Sequence, residues 1–120
     1  MQYPDFARQI IALKEADLQL RARLVRSGEL GQGYHPEMRR LHHQNAAALE
    51  RIIVHTGYPT EERVGKAASE AAWLVIQHAI GQPAFMRKCE QLLREAVDSR
   101  QANPVDLAYL SDRIAVLEGR

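Results

Sequence analysis

The chain has 120 residues, and its 16 Lys plus Arg almost cancel its 15 Asp plus Glu, leaving a formal net charge of +1. A length of this order predicts one domain spanning residues 1–120 with a modest core. The near-balance, with basic residues scattered rather than striped, argues against nucleic acid as a partner.

No apolar run approaches the length of a membrane span, so a membrane partner is not expected. The first residues, MQYPDFARQ, lack a basic stretch followed by an apolar one, so no secretory signal is expected either. The single cysteine, Cys89, permits no internal disulfide and is expected to be structural or incidental. Both features predict a cytoplasmic setting.

The first helix is predicted over residues 4–27, opened by Pro4 and closed by Gly28. Its apolar stripe is Phe6, Ile10, Leu13, Leu20 and Leu24, interrupted by the carboxylate of Asp17. A glycine-rich loop follows over residues 28–35. Pro36 then opens a second helix that lasts to Gly57, with a stripe of Met38, Leu41, Ala48, Leu49 and Ile52. Here the interruption is Asn45, with His42 at the margin. Gly57-Tyr58-Pro59 turns the chain, and Thr60 is the expected N-cap of a third helix reaching Gly81.

The most apolar stretch is residues 64–80, with the lone Trp73 and the pair Gln77-His78. At helical spacing, Ala71, Leu74, Val75 and His78 share one face. Small residues at Ala67, Ala68, Ala71 and Ala72 allow neighbouring helices to approach closely. Pro83 starts a fourth helix, with Phe85, Cys89, Leu92, Leu93 and Ala96 inward. Asn103-Pro104 starts a fifth, with Leu107, Leu110, Ile114 and Leu117 on one stripe and Val105, Tyr109, Asp112 and Val116 on the next. No segment alternates as a strand does. The expected fold is all-α, a compact bundle of about five helices with the first two antiparallel.

Polar groups recur at inward positions: Asp17, Asn45, His78 and Asp112. Each costs about 1–3 kcal/mol if buried without a partner, so they are expected to meet in one network or around a cleft. In that arrangement Asp17 or Asp112 orients the imidazole of His78 for acid–base work. Asn45 and Gln77 hold a ligand through their amides, and Arg21 and Arg113 either bind an anionic group or pair with the carboxylates. Metal binding is not expected from spacing. His42 and His43 are adjacent and diverge on a helix, no His-x-x-x-His or Glu-x-x-His pair is present, and a site would need ligands from separate helices. No phosphate-cradling loop and no nucleophile motif is present, and no cofactor is expected.

The chain resembles a family of small bacterial proteins known as a domain of unknown function. The resemblance rests on Asn45, Gly57-Tyr58-Pro59, Val64-Gly65, Ala71-Ala72-Trp73-Leu74, Gln77-His78 and the run from Ala108 to Arg113, with Asp17 and Arg21 in the first helix. Family members usually continue past Gly119-Arg120 with a glutamine and a Y-G-T-Q segment, which this chain does not contain. The resemblance nominates Asp17, Asn45, Gln77, His78, Asp112 and Arg113 and brings no activity with it. Two readings follow. The favoured one is a small binding or interaction module with a buried polar cluster, acting on a protein partner or as a homodimer. The alternative is a hydrolase-like acid–base enzyme using His78 with Asp112 or Asp17.

Overall fold

The computed structural model describes residues 1–31 and 33–120; Gln32, in the glycine-rich loop, lies outside the described residues. Six helices follow in order: α1 (Pro4–Ser27), α2 (Pro36–Thr56), α3 (Glu61–Val64), α4 (Lys66–His78), α5 (Pro83–Asp98) and α6 (Pro104–Leu117). No strand occurs among the described residues, and no helix is long and apolar enough to cross a membrane.

Proline sits in the first turn of α1, α2, α5 and α6, where its missing N–H costs nothing. The Asn103 side chain caps α6 by accepting from the Val105 N–H at 2.8 Å. Gly28 ends α1 in the left-handed conformation, its N–H returning to the carbonyls of Leu24 and Val25. The expected third helix is in fact two. Gly65 adopts φ +85°, which an L-residue avoids, and this breaks the one-turn α3 from α4. Thr60 occupies the cap position of α3, but its hydroxyl makes no capping bond and is buried without a partner.

Three cross-links fix α1 antiparallel to α2. Going up α1, Leu13 meets Asn45, Asp17 meets His42 and Arg23 meets Glu37, so the partner number falls as the chain rises. α4 packs against α1, α2, α3 and α5, while α6 packs mainly on α5. The central position of α4 follows from its composition. Ala68, Ala71 and Ala72 are buried, and their short side chains let backbones approach, with Val75 and Ile76 filling the spaces between. Around them Ile10, Leu49, Met86, Leu93 and Leu110 complete a continuous core. The second stripe of α6 faces outward: Val105, Tyr109 and Val116 are exposed, and Asp112 with them, although the Tyr109 ring meets Trp73 edge-on at 6.5 Å.

Candidate functional site

Burying α4 against both α1 and α2 brings its last residue, His78, onto the midpoint of α1. There Asp17 is 1% exposed. Its Oδ2 accepts from the Nδ1–H of His78 at 2.6 Å. On the other side His42, one turn before Asn45 on α2, places Nε2 3.0 Å from the same oxygen. This second approach is close but off the line of a hydrogen bond, so Nε2 of His42 is left without an aligned partner. The two imidazoles lie 5.1 Å apart between centroids and are tilted by 44°. Beyond His42, the Tyr34 hydroxyl sits 2.6 Å from Nδ1.

The electrostatics follow from this geometry. Burial raises the Asp17 carboxyl, but the close approach of His42, the hydrogen bond from His78 and the charges of both rings outweigh it and hold the group well below its ordinary 3.8. Asp17 is therefore an anion through the neutral range. Its other oxygen, Oδ1, is buried with no partner, which leaves acceptor capacity unused at a site sealed from water. Burial likewise raises the Tyr34 hydroxyl, opposed by Arg39 and assisted by the Asp17 charge, so that hydroxyl keeps its proton. Of the three central side chains only His78 reaches solvent to any extent, at 24% against 9% for His42 and 1% for Asp17.

Asp17 and His78 thus meet as expected. The other nominated residues do not join them. Asn45 is buried and donates to the Leu13 carbonyl at 3.0 Å, which ties α2 to α1 rather than holding a ligand. Gln77 is buried with its amide nitrogen unpartnered, and its main-chain carbonyl accepts from Nε of Arg113 at 2.7 Å. Arg113 therefore closes the end of α4, where a cation suits the helix terminus. Arg21 and Asp112 are exposed, so the carboxylate beside His78 is Asp17, not Asp112.

Two residues of the cluster escaped the sequence reading. His42 lay at the edge of a stripe, and its one signal was its place one turn before the inward Asn45. Tyr34, in the glycine-rich loop, carried none. The ligand-type atoms of Asp17, His42 and His78 all lie within 4.8 Å of one another, although they come from three helices. Spacing within a helix could not reveal this grouping, which draws its ligands from separate helices.

Of two cavities in the fold, one reaches the cluster and the other does not. One of about 520 Å³, lined by Trp73, Glu61, Glu70 and Asp106, contains no member of the cluster. An open groove of about 720 Å³ is lined by Tyr34, Arg39, Arg40, His43, Gln44 and Gln82, and so reaches the cluster through Tyr34. No curated protein and no solved structure shows significant similarity to the chain. A family model does match, over residues 4–120, and by that match the chain belongs to a family of unknown function, DUF6624.

Proposed function

We propose that the protein is a small acid–base catalyst in which His78 moves the proton and Asp17 orients and charges it. The observation that carries this is the 2.6 Å contact between His78 Nδ1 and a carboxylate that is almost wholly buried. With Nδ1–H donated to Asp17, the imidazole is held in the tautomer whose Nε2 lone pair points away from the protein anchor, ready to accept a proton. Once that proton arrives, the buried anion stabilises the imidazolium across the shared hydrogen bond. Arg39 and Arg40 along the neighbouring groove favour a substrate with an anionic group.

The test is a screen of ester, phosphodiester and glycosidic substrates with chelator-treated protein, comparing the parent with His78→Gln. Removing a general base lowers turnover by about 100- to 10,000-fold. A silent parent, or an active His78→Gln with parent-like circular dichroism, refutes the proposal.

The interaction-module reading has one observation of its own: Val105, Tyr109, Val116 and Leu117 leave apolar surface exposed along α6. It requires self-association or capture of a protein partner that Tyr109→Ser abolishes, and sedimentation and pull-down experiments decide it.

A further inference from the structure

Two buried polar atoms of the centre lack a hydrogen-bond partner. Asp17 Oδ1 is a buried anionic oxygen with no donor, and His42 Nε2 is a buried ring nitrogen aimed close to Asp17 without an aligned bond. His78 Nδ1 completes a set of three donor atoms, all within 4.8 Å of one another.

We infer that Asp17, His42 and His78 bind a divalent transition-metal ion of the zinc or cobalt type through one carboxylate oxygen and two imidazole nitrogens. The inference goes beyond the proposed function: it shares the reading of the cluster as a working site rather than as packing, but gives His78 Nδ1 to the ion, and a His78 that ligates in this way no longer serves as the base. Two imidazoles with one carboxylate suit zinc, cobalt or iron far better than magnesium or calcium, which take oxygen donors.

The dimensions fit. Tetrahedral bonds of about 2.05 Å place neighbouring donors about 3.3 Å apart. His42 Nε2 already stands 3.0 Å from Asp17 Oδ2 and His78 Nδ1 stands 2.6 Å from it, so both contacts open by tenths of an ångström, while the two ring nitrogens, within 4.8 Å of each other, adjust around the ion. Protons also have somewhere to go. Nε2 of His42 ligates when the ring proton sits on Nδ1, and the Tyr34 oxygen at 2.6 Å is placed to accept it, the outer-shell contact typical of a metal-bound histidine. For His78, ligation by Nδ1 moves the proton to Nε2, the side that faces away from Asp17. Three protein ligands leave at least one coordination position open, the pattern of catalytic rather than structural sites.

The experiment is titration of the chelator-stripped full chain with Zn²⁺ by calorimetry and with Co²⁺ by visible absorption. The expected result is one saturable ion per chain with a low-symmetry Co²⁺ spectrum. His42→Gln should weaken binding at least about 100-fold, and Tyr34→Phe, which keeps all three ligands, about 10-fold. His43→Ala and His55→Ala, which remove exposed imidazoles, should change nothing. Absence of saturable binding overturns the inference, and so does binding that survives both His42→Gln and Tyr34→Phe unchanged. Saturable binding without His78-dependent turnover leaves this inference standing and sinks the catalytic reading. Turnover by metal-free protein that takes up no ion does the reverse.

Discussion

Replacing Asp17 by Asn keeps the size of the side chain and removes its charge, which isolates what the buried carboxylate contributes. At neutral pH the variant loses one short charge-assisted bond, that from His78 at 2.6 Å, and the attraction of His42 at 3.0 Å. A hydrogen bond to a charged group contributes about 1.5–3 kcal/mol, and the misaligned His42 adds less than a full one. Against this stands the relief of Oδ1, an anionic oxygen now buried unpaired. The net expectation is a destabilisation of about 2 kcal/mol. With about 2.1 cal/mol/K of unfolding entropy per residue over this length, that lowers Tm by about 8 °C.

The sign of the pH dependence discriminates further. The folded-state value of Asp17 is depressed. Its contribution is therefore present above the ordinary carboxylate value of 3.8 and is lost as pH falls through the lower folded value. The gap between parent and variant, followed by urea unfolding monitored by circular dichroism, should narrow below about pH 4. A gap that stays constant from about pH 5 downward, or an Asn variant as stable as the parent at neutral pH, refutes the reasoning.

Four other outcomes are expected. The Cys89 thiol, pushed up to about 12 by burial, should resist iodoacetamide at neutral pH and react only as denaturant unfolds the chain, which mass spectrometry reads directly. Gly65→Ala places a side chain at φ +85° and should cost about 1–2 kcal/mol by urea unfolding. The cost comes from the backbone, since the close neighbour of the new methyl, at 2.8 Å, is the movable end of Met1. Gly81→Ala enters open space and should stay within about 0.5 kcal/mol. Asp112→Asn should also change stability by less than about 0.5 kcal/mol. It should leave the His78 ring signals in a ¹⁵N spectrum where they were, whereas Asp17→Asn shifts them.

The division between what the sequence revealed and what it hid has a physical basis. Helical periodicity, proline starts and glycine stops are local, and they located α1, α2, α5 and α6 as well as the central role of α4. The one-turn α3 was missed because Val64-Gly65 reads as a continuous apolar pattern, while the break depends on a left-handed φ at Gly65 that composition alone does not announce. Within the site, the anomaly of an acid on an apolar stripe identified Asp17, since burial of an unpaired carboxylate is too costly to be casual. Its choice of partner was not local. Asp17 and Asp112 are both candidates by pattern to stand beside His78, and only the packing of α6 on α5, with Asp112 left exposed, removes the second.

His42 makes the same point more sharply. The pair His42-His43 does not read as a joint metal site, because two consecutive side chains on a helix diverge. That divergence is real, and it sends His43 outward while His42 turns in towards Asp17. A test confined to one helix rejects such a residue, because its partners lie 25 positions before it and 36 after it in the chain. What identifies it is the shortage of polar satisfaction at the meeting of three helices. A buried carboxylate with one oxygen approached by two imidazoles and the other empty has room for a further positive centre, and the Tyr34 hydroxyl stands behind His42, on the far side of its ring.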